Sequence, residues 1–191
     1  MGNKQPKHPA DEERKEWRKK LKDVKVCVIG PEEAGKTVLS IRSCEPTRTL
    51  PQMYIPTIGQ VTYTKNHKMA GKMEWWDTTG NERCRVLLPM YMQDSAVILI
   101  CLKAGHCQGK DQPINWIMLA KGANPPSTRQ LILVIYNKDN STGEESEAER
   151  SALEEICTEN DCFFLAMDVY RDDIEIFNSK LDEMLSKLLL N

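Results

Sequence analysis

Val24 to Ile29 is a short apolar and β-branched run that passes directly into Gly30-Pro31-Glu32-Glu33-Ala34-Gly35-Lys36-Thr37 and then Val38-Leu39. No other stretch restricts the fold as much, because a buried strand has to end at a glycine-framed loop and a helix has to begin at once. Gly30 and Gly35 bracket four residues ahead of Lys36 and Thr37, the G-x-x-x-x-G-K-[ST] spacing. Successive backbone N–H groups of such a loop point inward at a phosphate chain. Gly30, Glu32, Glu33, Ala34, Gly35 and Val38 would form the cradle, Lys36 would reach the terminal phosphates, and Thr37 would ligate Mg²⁺. The positive end of the helix adds to the attraction. The alternative is a glycine-containing turn that binds nothing, and the buried-strand run upstream weighs against it.

A chain of 191 residues is most simply one domain, read here as residues 23–191 behind a tail of residues 1–22. The tail holds eight of the 26 Lys and Arg and four of the 28 acids, a local +4 that leaves −6 for the remainder and −2 overall. That balance gives no global attraction to nucleic acid, so no nucleic-acid partner is expected. Trp17 and Leu21, four apart, allow a short helix among the basic residues. A solvated flank is one reading of the tail and a membrane- or partner-binding helix is the other. Seven cysteines of unpaired spacing read as reduced thiols, with neither a disulfide framework nor a zinc site. His8, His67 and His106 lack companions and read as surface or turn residues. No apolar run is long enough to cross a bilayer, no signal peptide opens the chain, and Pro6 spoils a myristoylation start.

Strand and helix patterns alternate along the rest. A helix is expected from Lys36 to about Cys44, a long loop over Glu45 to Pro56, and a hairpin of Gly59 to Thr64 with Lys72 to Trp76, turning at Asn66-His67-Lys68. Glu82 to Gln93 reads as an irregular helix. The continuous runs Ala96 to Leu102 and Leu131 to Tyr136 suit strands covered on both faces. Pro113 to Ala120, Glu144 to Cys157 and the stripe Ile174, Phe177, Leu181, Met184, Leu185 and Leu188 read as helices, with Cys162 to Ala166 as a last strand. The expected fold is α/β: a mostly parallel six-stranded sheet with one antiparallel edge strand, helices on both faces, and ligand at the strands' C-terminal ends.

Three further motifs follow strands. Thr57, in Pro56-Thr57-Ile58-Gly59, lies 21 residues past Lys36; Asp77, in Trp76-Asp77-Thr78-Thr79-Gly80-Asn81-Glu82-Arg83, lies 20 past Thr57; Asn137, in Asn137-Lys138-Asp139-Asn140, lies 60 past Asp77. From Val24 to about Leu189 the chain resembles the Ras-like small GTPases, P-loop proteins that switch on GTP and GDP with Mg²⁺, and Trp76 to Arg83 is most similar to the Rab branch. Asp77 at a strand end suits a Mg²⁺ carboxylate, and Thr57 offers a hydroxyl from a loop that γ-phosphate would order and its loss would release. Gly80 lets a backbone N–H approach the γ-phosphate. The resemblance further implies a lid role for Tyr54 and a base-side role for Asn137, which ties loops together, and for Lys138, whose stem lies along the purine. It places a base-side loop at about Met167-Asp168-Val169, which keeps at most a backbone role.

The departures concern catalysis and base choice. Glu32 and Glu33 set two carboxylates beside a polyphosphate, repulsive unless they turn to solvent, and Glu32 fills space needed by an in-line water. Asn81 stands where the family orients that water with a longer glutamine, and Thr79 replaces a smaller residue. With Gly80 and Lys36, Asn81 completes the candidate catalytic set, and slow or absent hydrolysis is expected. Asn140 replaces the aspartate that accepts two guanine hydrogen bonds, a loss of about 1.5–3 kcal/mol, and its amide suits xanthine better. Loop drift that lets Asp139 or a neighbour serve is the alternative.

These readings imply an atypical, Rab-like switch in membrane trafficking or signalling, cytoplasmic or peripheral on membranes. Effectors, exchange factors or GAP-like proteins are expected at residues 45–64 and 77–93. With no terminal cysteine after Leu190, only the N-terminal tail is expected to touch a membrane. A pseudo-GTPase scaffold with weak or altered nucleotide binding is the rival. A P-loop kinase is disfavoured by the absence of an arginine-rich lid segment.

Overall fold

Along strand β1 (Val24–Ile29), Val24, Val26 and Val28 join one buried cluster while Cys27 and Ile29 join a second. A strand buried on both sides needs helices above and below it, and the computed structural model supplies them. It describes residues 24–68, 70–109, 112–125, 130–138 and 144–190, the side chains of 144–146 and 189–190 excepted. The N-terminal tail, with Trp17 and Leu21, and the pair Asp139 and Asn140 lie outside the described residues.

The other elements are helix α1 (Lys36–Cys44), strands β2 (Gln60–His67) and β3 (Gly71–Thr78), a 3₁₀ helix (Glu82–Leu87) continuing into α2 (Leu88–Met92), β4 (Val97–Lys103), α3 (Pro113–Lys121), β5 (Leu131–Asn137), α4 (Glu144–Glu159), β6 (Phe163–Met167) and α5 (Ile174–Leu190). The sheet runs β2-β3-β1-β4-β5-β6, and β2 alone is antiparallel to its neighbour. Leu39 and Ile41 of α1 and Phe177, Leu181, Met184 and Leu185 of α5 cover one face. Leu88 and Met92 of α2, Trp116, Ile117 and Ala120 of α3, and Leu153 and Cys157 of α4 cover the other. The doubly covered α/β sheet expected from the sequence is therefore present.

Register brings the motifs to one rim. Val28 pairs with Asp77, Ile29 with Ile100, and Asn137 with both Lys103 and Met167, so Gly30, Asp77, Lys103, Asn137 and Asp168 all sit at or just beyond the strands' C-terminal ends. This is where a parallel sheet leaves its crevice.

The hairpin is longer than its alternation suggested. Strand β2 continues through His67, which is not a turn residue: its ring nitrogen Nε2 lies 2.8 Å from Asp182 Oδ1 of α5. Lys68 pairs with the same carboxylate, Lys65 Nζ donates to Asn178 Oδ1 at 3.4 Å, and Trp75 packs edge-on to Phe177 with centroids 5.8 Å apart. The far end of the hairpin is thereby fastened to the C-terminal helix. The described cysteines are all free, and burial pushes the thiols of Cys27 and Cys101 up to about 12.

Candidate functional site

The phosphate loop leaves β1 at Gly30 and enters α1 through Gly35, which adopts φ 88° as the residue preceding the helix. A side chain at Gly35 would strike Val169 Cγ2 and stand 3.0 Å from Asn137 Nδ2. The loop can therefore pack against the β5 and β6 ends only with glycine at this point. Ala34 and Lys36 are buried, and Glu32 and Glu33 turn to solvent, which removes the carboxylates from the cradle. Glu33 holds φ 58° as a non-glycine residue, and its carboxylate lies 3.9 Å from Lys103 Nζ.

Lys36 Nζ donates to Pro31 O at 2.5 Å, so the ammonium is folded back under its own loop. Burial above all lowers its pKa from the ordinary lysine value, with Cys101, Asp77 and Glu32 acting the other way. Gly80 closes over this group. A methyl there would stand 2.5 Å from Glu32 N and 2.6 Å from Lys36 Nζ. The two loops thus approach until only hydrogen fits between them.

Thr37, Thr57 and Asp77 converge from three separate elements. Thr37 Oγ1 donates to Asp77 Oδ2 at 2.7 Å and lies 3.0 Å from Thr57 Oγ1, while Thr57 Oγ1 is 3.3 Å from the same Oδ2. Asp77 is fully buried, and its other oxygen, Oδ1, has no hydrogen-bond partner. Burial holds its carboxyl above the usual range, opposed by the Thr37 hydroxyl, Lys36 and Thr57. Two hydroxyls and a carboxylate with an unused oxygen form a hard-oxygen donor set of the kind Mg²⁺ takes, so these residues fit that ion.

Beside this cluster lies a cleft of about 240 Å³, bounded by residues 33–38, by 51–55 of the loop before β2, and by Thr57, Gly80 and Tyr170. Tyr54 stands over it. Its phenol is raised above the ordinary value first by burial and then by Glu32, while a hydrogen bond to the Glu33 backbone acts the opposite way.

On the base side, fully buried Asn137 joins two loops. Its Nδ2 donates to Ala34 O at 3.4 Å and its Oδ1 accepts from Val169 N at 3.2 Å. Lys138 is 4.0 Å from Asp172. Met167 is buried in the core, and the Asp168 carboxylate accepts from the N–H groups of Tyr170 and Arg171 at 2.9 and 3.2 Å, while Asp168 N donates to Asp172 Oδ2. Asp168 therefore directs its carboxylate into its own turn, while Met167 O accepts from Lys138 N at 3.0 Å. Asn81 is exposed and bonds locally: its Oδ1 accepts from Arg83 N at 3.0 Å, capping the 3₁₀ helix, and its own N–H is 3.2 Å from Thr79 Oγ1.

Two contributors went unread in the sequence. Arg42, near the end of α1, donates to Val169 O and Asp172 O at 2.7 Å each and clamps the turn after β6. Tyr170 lines the cleft. A basic residue in the last turn of α1 was the available signal for the first, and the aromatic following Met167-Asp168-Val169 for the second.

A second and larger cavity, about 420 Å³, lies on the other side of the phosphate loop, between Glu32, Asn81, Arg83, Lys103, His106 and Trp116. It is separated from the Thr37–Thr57–Asp77 cluster by Gly80 and the loop itself.

A family model described as the Ras of Complex, Roc, domain of DAPkinase matches residues 25–140. The mouse Ras-related protein Rab-22A is 30% identical over 135 residues, 69% of this chain and 68% of the relative. The human Ras-related protein Rab-34 is 31% identical over 121 residues, 62% of this chain but 46% of the relative, and Ras-related protein RabV of Dictyostelium discoideum is 26% identical over 126 residues, with 52% of that relative covered. The chain thus spans about half the length of the Rab-34 and RabV proteins it matches. The family match runs unbroken from β1 through β5, taking in the phosphate loop, Thr57, Asp77 and Asn137, and on that ground the chain belongs to the Ras superfamily of small GTPases as a Rab-like member.

Proposed function

We propose that the cleft binds a purine nucleoside di- or triphosphate, GDP or GTP, together with Mg²⁺, and that the chain works as a nucleotide-dependent switch with slow or absent hydrolysis. The observation that carries this reading is the convergence of Thr37 and Thr57 within 2.7–3.3 Å of one another and of Asp77 Oδ2, on a buried carboxylate whose other oxygen, Oδ1, has no hydrogen-bond partner. Bound Mg²⁺ would neutralise phosphate charge. Thr37 and Asp77 come from rigid elements, whereas Thr57 comes from a long loop, so a ligand that engages Thr57 orders that loop. Lys36, already at the cradle, exchanges Pro31 O for phosphate oxygen. Slow hydrolysis is supported by Asn81, a side chain one methylene shorter than glutamine whose oxygen already accepts the Arg83 N–H as a helix cap. Guanine against xanthine is proposed to rest on Asn140.

Partners are proposed at residues 45–64 and 77–93, where Ile58 is 94% exposed, Val86 81% and Met53 76%. These apolar side chains flank the two loops that would respond to phosphate, which suits effectors, exchange factors or GAP-like proteins in trafficking or signalling. No helix among the described residues is long and apolar enough to cross a membrane. Peripheral attachment is proposed through the basic tail of residues 1–22. A scaffold that binds nucleotide weakly is the second reading, favoured by the internally bonded N–H groups of Asp168 and Val169.

Denaturing the purified protein and identifying released nucleotide by chromatography separates the two. Stoichiometric guanine nucleotide, lost in Lys36→Ala, supports the switch. A protein that is empty and that takes up no nucleotide on titration supports the scaffold.

A further inference from the structure

The turn that follows β6 reaches the cleft without a free backbone donor among the residues nearest it. Asp168 N is bonded to Asp172 Oδ2, Val169 N to Asn137 Oδ1 and Tyr170 N to Asp168 Oδ1, at 2.9, 3.2 and 2.9 Å. What the turn does present is a ring. Tyr170 lines the cleft, is 46% exposed, and directly follows Val169, the residue on which Gly35 of the phosphate loop packs. Its backbone is fixed: Arg42 holds the carbonyls on either side, at Val169 and Asp172, and the Asp168 carboxylate caps the turn from within. An aromatic side chain on so constrained a turn is pre-organised for contact. Of the residues lining the cleft, Tyr54 and Tyr170 are the aromatic ones, and they lie close enough to interact electrostatically.

Resting on the reading of the cleft as a nucleotide site, we propose that Tyr170 is the wall on which the nucleobase stacks, and that this turn recognises the base by its π-face instead of by a hydrogen bond. Thr37, Thr57 and Asp77 occupy the metal and phosphate end; Tyr170 enters from the β6 side, beyond Gly35, where the base end of a nucleotide lies. Stacking is tolerant because every base has a π-face. The contribution of Tyr170 is therefore the same for guanine, xanthine and adenine, and discrimination among them must come from other residues.

The test uses the full chain, with nucleotide removed, titrated calorimetrically in Mg²⁺ with GDP, XDP and ADP and separately with inorganic pyrophosphate. Tyr170→Ala weakens all three nucleotides by a common factor of about 5- to 150-fold and leaves pyrophosphate unchanged; Tyr170→Phe and Tyr170→Trp retain wild-type affinities. In Tyr170→Trp, the added indole fluorescence changes with GDP and not with pyrophosphate. Two results overturn the inference alone: nucleotide affinities unmoved by Tyr170→Ala, or pyrophosphate weakened as much as the nucleotides, which marks a structural role for the turn. A wild-type chain that binds neither nucleotide nor pyrophosphate overturns the reading of the cleft and this inference together.

Discussion

Replacing Asn137 with alanine tests how the phosphate loop is held to the base side of the sheet. The side chain is fully buried, and removing it deletes two hydrogen bonds of unequal quality. The one to Ala34 O, at 3.4 Å, lies at the edge of bonding distance, while the one from Val169 N, at 3.2 Å, satisfies a buried donor. The weak bond contributes about 0.5 kcal/mol, and the orphaned N–H costs a further 1–3 kcal/mol or so. For a domain of this size the sum corresponds to a fall in Tm of about 3–14 °C. Differential scanning calorimetry in EDTA without nucleotide isolates this effect from ligand binding. Asn137→Asp is the sharper companion: it keeps an acceptor for Val169 N–H but turns a carboxylate toward the Ala34 carbonyl, so its loss exceeds that of alanine at pH 7. A fall in Tm below about 1 °C for Asn137→Ala would show that the bridge is geometric only, since even the lowest of these terms predicts more.

Three other outcomes are expected. Because burial raises the Asp77 carboxyl above the ordinary carboxylate range, this group's contribution to stability falls as pH rises from the unfolded value through the folded one. Asp77→Asn should therefore raise Tm in EDTA at pH 7 and abolish any stabilisation by Mg²⁺ with nucleotide, read by thermal scans with and without the ion. In single-turnover assays hydrolysis should be slow, and Glu32→Gly combined with Asn81→Gln should raise it more than either change alone; a fast wild-type rate would contradict the capping role given to Asn81. Burial holds the thiols of Cys27, Cys44, Cys101 and Cys157 up to about 12, so a thiol reagent at pH 8 should leave these four unmodified in the folded chain and modify them all in denaturant, as peptide mapping would show.

The sheet was legible because its signals are local. Val24 to Ile29 and Leu131 to Tyr136 announce doubly buried strands by composition alone, and Gly30, Asp77 and Asn137 each stand at or next to the end of a strand, so the order of motifs already implies a shared rim. What escaped notice depends on pairs distant in sequence. Arg42 meets Val169 across 127 residues and His67 meets Asp182 across 115, and no periodicity encodes a partner at that separation. His67 read as a turn residue because strand alternation fades after Thr64, whereas the extension of β2 is set by its pairing with β3 out to Gly71. The commitment of Asn81 and Asp168 to their own turns was invisible for the opposite reason: both are short polar side chains that can bond either to a ligand or to a neighbouring N–H, and only the backbone geometry decides.

Fastening the hairpin to α5 limits the kind of motion available to a chain of this design. Were β2 and β3 to slide by two residues along β1, the smallest step that restores the pleat, the hairpin tip would travel about 7 Å. His67, at 2.8 Å, and Lys68 share one carboxylate on Asp182, and neither could follow while α5 stays packed through Phe177 and Leu181. Sliding would also carry Trp75 off Phe177 and draw Lys65 away from Asn178. The strand pair is thus a fixed post between the loop before β2 and the loop after β3, and a partner that gripped both loops would read any displacement of either against a common, stationary reference.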